Sequence, residues 1–221
     1  MNEKEICFIM CSNDVMYMEE CFRYINHLNV PEGFSIDILT VKDAESMAAG
    51  YNEAMRCSNA KYKVYLHQDT FIVNPNFIRD FVDVFQKDER IGMIGVIGSP
   101  RLPDDAIMWH GERCGAIYAW TISKTIAYRL GDNVLTEVEA IDGLLMITQY
   151  DIPWREDLFD KWDFYDCSQS QEFIRKEYKV VIPEMEEPWC IHDSGMVSMD
   201  RYEGERLKFI NEYFKDRGGK A

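Results

Sequence analysis

Residues 61–75 read KYKVYLHQDTFIVNP, and the outline of the fold follows from where this run changes character. Val64, Tyr65 and Leu66 are an apolar run of strand-forming residues. The run stops at His67, Gln68 and Asp69, and Asn74-Pro75 predicts the N-cap and first-turn proline of a helix. A buried strand ending in an imidazole, an amide and a carboxylate puts those groups at the carboxyl edge of a sheet. Open α/β sheets bind ligands at that edge. Any strand can end in polar residues, so the flanking chain decides between the two meanings.

On the N-terminal side, Ile6 to Met10 reads as a first buried strand broken by Ser12-Asn13-Asp14. Met18, Phe22, Ile25 and Leu28 then share a helical stripe, and Phe34 to Val41 is a second strand after the Pro31-Glu32-Gly33 turn. Asp43 is expected to cap a helix with Met47, Tyr51, Ala54 and Met55 on one face. On the C-terminal side, a helix from Pro75 to Lys87 turns Phe77, Ile78, Phe81, Val84 and Phe85 inward, and Ile91 to Ile97 is a further strand. This alternation calls for a mostly parallel central sheet flanked by helices. Beyond it, Arg101 to Gly115 is loop-like and Ala116 to Leu130 is β-prone. TEVEAIDGLLMI (Thr136 to Ile147) ends in an apolar run. A loop rich in Trp, Asp and Phe occupies Tyr150 to Tyr165, and Asp166 with Gln169 predicts a capping box for the next helix. His192 falls in a loop, Glu184 to Gly195, and a final helix places Leu207, Ile210 and Phe214 on one side. With no repeat or linker, residues 1–221 read as a single domain. Residues 1–100 read as a nucleotide-fold first half and residues 101–221 as an elaborated second half.

With 47% hydrophobic residues and 13% aromatics in 221 residues, the chain can bury a substantial core. Its net charge of -15 disfavours nucleic acid and anionic membranes as partners. A phosphorylated ligand stays possible if a divalent cation bridges the like charges. Seven scattered cysteines without a CxxC pair, no signal-peptide layout and no apolar run long enough for a membrane span imply a cytoplasmic protein with small buried thiols.

In order along the chain, SMAAGYNEAM (Ser46 to Met55), YLHQDTFIVNPNFI (Tyr65 to Ile78), DGLLMI (Asp142 to Ile147), FDKWDFYDCSQSQEF (Phe159 to Phe173) and IHDSG (Ile191 to Gly195) resemble the motifs of GT-A glycosyltransferases. The likeness is to family-2-like inverting enzymes, in the subgroup typified by a domain of streptomycin biosynthesis proteins. It implies the GT-A fold, a nucleotide-diphosphate sugar as donor (a UDP-sugar foremost), Mn²⁺ or Mg²⁺ as cofactor, and a hydroxyl acceptor such as a glycan or small metabolite. A place in polysaccharide biosynthesis follows from the same likeness.

The resemblance also distributes roles. Asp69 matches the last acid of the family's D-x-D metal motif, while His67 stands where the first Asp is usual; imidazole is itself a competent Mn²⁺ ligand. His192 matches a downstream metal-binding histidine. Asp166 falls at the general base, with Tyr165 in place of the Glu before it and Asp163 as the substitute; its rival role is a helix cap. Ser12, Asp14, Asp43, Asn52, His67, Gln68, Asp69, Asp142 and Gly143 are expected around the nucleotide and donor sugar, and Trp162 and Tyr165 beside the acceptor. Trp109, Trp120 and Trp154 are further stacking candidates, although large aromatics usually belong to a core.

Two other classes compete. A GT-A-fold protein with impaired catalysis would bind nucleotide-sugars without transferring them, consistent with His67 and Tyr165 at the altered positions. A metallohydrolase would use His67, Asp69, His110, Cys114 and His192, but no tight ligand spacing supports it. A sugar nucleotidyltransferase would need a glycine-rich basic loop where the chain has CSNDVMYMEE.

Overall fold

The computed structural model describes the chain except residues 122–123, 131–134, 196–198, 216 and 218–221, and it leaves out the side chains of 120–134. Its elements are β1 (Asn2–Ser12), α1 (Val15–Asn26), β2 (Ser35–Lys42), α2 (Met47–Cys57), β3 (Ala60–Leu66), β4 (Thr70–Ile72), α3 (Phe77–Phe85), β5 (Ile91–Gly95) and β6 (Ile97–Ser99). These are followed by β7 (Cys114–Thr121), β8 (Lys124–Leu130), β9 (Thr136–Glu137), β10 (Ala140–Ile141), β11 (Leu145–Thr148), α4 (Tyr165–Arg175), β12 (Lys179–Ile182), β13 (Cys190–His192) and α5 (Tyr202–Tyr213).

Seven strands form the main sheet in the order β2-β1-β3-β11-β5-β12-β9. β1 pairs in parallel with both β2 and β3, and β12 with β5. β11 runs antiparallel between β3 and β5, so those two share a direction. The sheet is therefore mostly parallel with helices against it, the α/β arrangement expected from the sequence. Such a strand is covered on both faces, which is why β1 and β3 read as nearly continuous apolar runs. The second sheet, β10-β6-β7-β13-β4 with β8 paired to β7, takes over where β3 and β5 end. The expected strand Ile91 to Ile97 is split: Val96 separates β5 in the first sheet from β6 in the second.

The core follows the periodicities. In α3, Phe77, Ile78, Phe81, Val82, Val84 and Phe85 are all buried, each side chain contributing about 1.5–3 kcal/mol of transfer free energy. A second apolar cluster joins Leu102, Met108, Phe159, Phe164 and Cys167 to Phe209 and Phe214. Leu207, expected to face inward from α5, is 47% exposed, and Phe209 is the anchor instead.

Three expected caps are replaced by other local solutions. Ser46, not Asp43, caps α2, its Oγ accepting from Ala49 N at 3.1 Å. Helix α3 starts after Asn76, while Asn74 holds the preceding turn by accepting from Asn76 N at 2.9 Å. Asp166 lies inside the first turn of α4, whose cap is Phe164 in the left-handed region at φ 60°. Gln169, the expected capping-box partner, instead donates to Ile152 O at 2.7 Å.

Gly115, the second residue of β7, has φ +104°, where a Cβ would stand 2.1 Å from Val96 O and would strike the chain that crosses between sheets. Gly115→Ala is expected to cost about 3 kcal/mol or more and lower Tm by roughly 10 °C, read by thermal denaturation.

Candidate active site

The chain leaves the first sheet at Leu66 and enters the second at Thr70, so His67, Gln68 and Asp69 span the junction. Backbone bonds fix it: His67 N donates to Leu144 O at 3.1 Å, and Asp193 N to Asp69 O at 3.0 Å. Strand β13 pairs antiparallel with β4, His192 opposite Thr70. This register brings His192 beside Asp69, although 122 positions separate them in sequence: Nε2 is 3.6 Å from Asp69 Oδ1. His67 Nδ1 approaches the same oxygen at 3.9 Å. One ligand-type atom from each of the three lies within 4.8 Å of the others, the only such group of three or more among the described residues. His110 and Cys114 are not part of it, and His110 is paired instead with Asp105 at 2.7 Å.

Asp69 Oδ1 and His192 Nε2 are both buried without a hydrogen-bond partner. A buried carboxylate oxygen and a buried ring nitrogen left unpaired are costly unless a third group satisfies them. Two imidazoles and a carboxylate around one point fit a divalent metal ion.

Above the trio is a cavity of about 480 Å³ lined by Ser12, Asn13, Asp43, Gln68, Trp162 and Ser194 together with the trio, and by the apolar edges of Cys11, Val41, Ala44 and Met47. Among the described residues no lysine or arginine lines it. Gln68 stitches the rim: its Oε1 accepts from Ser12 Oγ, Asn13 N and Asp14 N at 3.0, 3.1 and 3.0 Å, and its Nε2 donates to Asn13 Oδ1 at 2.6 Å. Asp43 sits at the rim with φ 55°, and Trp162 is 50% exposed there.

A second cluster lies behind His67. Its Nε2 is 2.5 Å from the Tyr165 hydroxyl, and the Tyr165 ring is buried between Tyr51 and Trp154. Gly143 faces the same hydroxyl, which occupies the place a Cβ would take, only 2.0 Å away. The expected space over Gly143 for a sugar is therefore filled by Tyr165, and Tyr165, buried rather than exposed, supports His67 from behind. Asp166 accepts from Gly143 N at 2.9 Å and from Cys167 N at 2.7 Å. Burial, and then the neighbouring Asp142 carboxylate, push Asp166 up to about 7 despite these bonds. Burial and then His192 bring His67 down to about 4, so it is neutral at pH 7, with Asp142 opposing the shift. Burial also raises Tyr51, Tyr165 and Cys167 well above their ordinary values, so they keep their protons.

The remaining expected site residues have other surroundings. Asp14 caps α1, accepting from Met16 N and Tyr17 N. Asn52 is buried under α2, where its amide donates to Trp154 O and accepts from Trp154 N, both at 2.9 Å, and it does not line the cavity. Asp163 is half-buried, raised first by desolvation and then by Glu205. Trp154 is core and Trp109 is exposed, while the Trp120 side chain lies outside the described residues. Asn13, Val41, Ala44 and Met47 line the cavity without having been singled out from sequence. Their signal was position, at the ends of β1 and β2 and the start of α2.

Residues 7–213 match the model of a family described as "Glycosyltransferase like family", and the chain belongs to that family. No curated protein matches it. Among solved structures it is similar to the mannosyltransferase PcManGT from Pyrobaculum calidifontis, in complex with GDP-Man and Mn²⁺. That match has 12% identity and a TM-score of 0.56, and covers 94% of this chain and 61% of the other. It is also similar to S. aureus TarS 1-349 in complex with UDP-GlcNAc, at 10% identity and a TM-score of 0.58, covering 94% and 67%. At these identities the likeness is one of fold, and the chain spans about three-fifths of the mannosyltransferase's length.

Two substitutions separate architecture from chemistry here. Asn52→Ala strands the Trp154 backbone groups and is expected to cost about 2–4 kcal/mol in denaturant unfolding, with ligand binding by the folded protein unchanged. Asp166 holds its proton more tightly folded than unfolded, so the wild type loses stability as pH rises from its ordinary 3.8 to about 7. The Tm difference between Asp166→Asn and wild type should move in favour of the variant across that window.

Proposed function

We propose that this protein is a divalent-metal-dependent glycosyltransferase that moves a sugar from a nucleotide-diphosphate sugar to a hydroxyl acceptor with inversion. The observation that carries the proposal is the cavity floor. Its two lining carboxylates are Asp43 and Asp69, and among the described residues no lysine or arginine lines it to meet a diphosphate. Two buried ligand atoms on that floor also lack partners. When bound, Mn²⁺ or Mg²⁺ would supply the positive charge that stabilises the leaving diphosphate. Asp69, His192 and His67 are the residues that would hold it.

Ser12, Asn13 and Asp43 border the space for base and ribose, and Trp162 offers an exposed ring face to a sugar. Asp166 is the general base. As the acceptor oxygen bonds to the anomeric carbon and the bond to the leaving diphosphate breaks, a carboxylate oxygen takes the hydroxyl proton. Asp163 is its substitute. The similar structures bound to GDP-Man with Mn²⁺ and to UDP-GlcNAc support this class of donor, with UDP-sugars the first to test. The motif order supports a family-2-like enzyme near the streptomycin-type subgroup, acting on a surface polysaccharide or a metabolite. Unpaired thiols, six of the seven buried, support a cytoplasmic setting.

One observation favours the non-catalytic alternative: both Asp166 oxygens already accept backbone bonds, a role a purely structural carboxylate would also fill. A thermal-shift panel of UDP-, GDP-, CDP- and dTDP-sugars, each with and without Mn²⁺, decides first between ligand classes. The expected outcome is a rise in Tm for one nucleotide that needs the metal and disappears in Asp69→Ala. No rise with any nucleotide would overturn the proposal. With that donor, Asp166→Asn should lower kcat for transfer or donor hydrolysis by about 10²–10⁴-fold. Wild-type kcat should climb with pH through about 7 as the base form accumulates. Binding without either reaction would establish the alternative.

A further inference from the structure

We infer that the His67–Asp69–His192 site is selective for a transition-metal divalent ion over Mg²⁺, and that Tyr165 is the positioning residue that makes His67 a ligand. The inference rests on the metal-dependent reading above and extends it to which ions the site accepts.

The donor set is two imidazole nitrogens and one carboxylate oxygen. Mg²⁺ is a hard ion that favours oxygen ligands and keeps its waters, whereas imidazole suits the later divalent ions. A site with two acids at positions 67 and 69 would offer Mg²⁺ a second oxygen, and His67 withdraws it. The ring's orientation is also constrained. His67 presents Nδ1 to Asp69 and Nε2 to the Tyr165 hydroxyl. With Nδ1 serving as ligand, the ring proton sits on Nε2 and is donated to the Tyr165 oxygen. Tyr165 itself cannot drift. Its ring is buried against Tyr51 and Trp154, and its hydroxyl fills the notch over Gly143. A hydrogen bond to the non-ligating nitrogen fixes both tautomer and ring angle, and such outer partners typically matter about 10–100-fold in metal affinity.

The test is binding of the metal alone to the purified protein. Mn²⁺, Co²⁺ and Mg²⁺ would be titrated calorimetrically into wild type, Tyr165→Phe, His67→Asp and Asp69→Ala, with the visible absorption of bound Co²⁺ as a second readout. Wild type should bind Mn²⁺ and Co²⁺ at least about 100-fold more tightly than Mg²⁺. Tyr165→Phe keeps the packed ring and removes only the hydroxyl. It should weaken Mn²⁺ by about 10–100-fold and alter the Co²⁺ spectrum, with metal-free Tm near wild type. His67→Asp should bring Mn²⁺ and Mg²⁺ toward parity, and Asp69→Ala should abolish binding. Equal affinity of wild type for Mg²⁺ and Mn²⁺, unchanged Mn²⁺ affinity and Co²⁺ spectrum in Tyr165→Phe, or no saturable binding of Mn²⁺ or Co²⁺ would each overturn the inference. Selective metal binding without any nucleotide-sugar response would leave the inference standing and remove the glycosyltransferase proposal. A nucleotide-sugar response equal in Mg²⁺ and Mn²⁺ would do the reverse.

Discussion

The constraint on which the rest depends is the passage of one chain segment between two sheets. β3 ends at Leu66 and β4 begins at Thr70, and the three residues between them have no strand of their own. They are held because their backbone bonds to neighbours on both sides, Leu144 just before β11 of the first sheet and Asp193 just after β13 of the second. A loop fixed at both ends by sheet hydrogen bonding can present side chains at a constant separation. That rigidity distinguishes a preorganised site from a polar loop tip. The same junction explains why β5 breaks at Val96 and why Gly115 is needed opposite it: two strands leave the first sheet close together, and the second sheet must start without a clash.

Around this junction the protein accumulates groups that water would ordinarily stabilise. Asp69, Asp142 and Asp166 crowd two histidines, and among the described residues no lysine or arginine lines the cavity. Burial sorts their protons. Tyr51, Tyr165 and Cys167 are held protonated and His67 is held neutral, which leaves Asp166, at about 7, as the group among them poised to exchange a proton near neutrality. The arrangement trades stability for function: a carboxylate kept partly uncharged by its surroundings and two unpartnered polar atoms are each unfavourable for the folded chain alone.

Much of this was legible in the sequence because it depends on local pattern. The apolar run ending at His67 marked the junction, and the alternation of strands and helices through Ile97 marked the mostly parallel sheet. What was not legible depends on partners far along the chain. The run LLMI announces a buried strand but not its direction, so the antiparallel insertion of β11 between β3 and β5 could not be read. Asn52 was expected beside the nucleotide and donor sugar. Its partner is the backbone of Trp154, 102 residues away. Asp43 and Asp166 have the residue type of helix caps, and Ser46 and Phe164 took those positions because the backbone turned left-handed at Asp43 and Phe164. The metal trio was half visible: His67 and Asp69 are neighbours in sequence, but only strand pairing delivers His192.

The Gly143–Tyr165 contact also bears on how this site could have been reached by successive substitutions. A side chain at 143 would meet the tyrosine hydroxyl at 2.0 Å and its ring carbons at 2.6 and 2.9 Å, so no residue larger than glycine is tolerated while an aromatic ring occupies 165. The two positions are not independent characters. An ancestor with a larger residue at 143 had to lose it before the ring could enter, and a descendant must shrink 165 before 143 can grow. The order of those steps, rather than the merit of either residue alone, governs which variants of this pocket are accessible to drift.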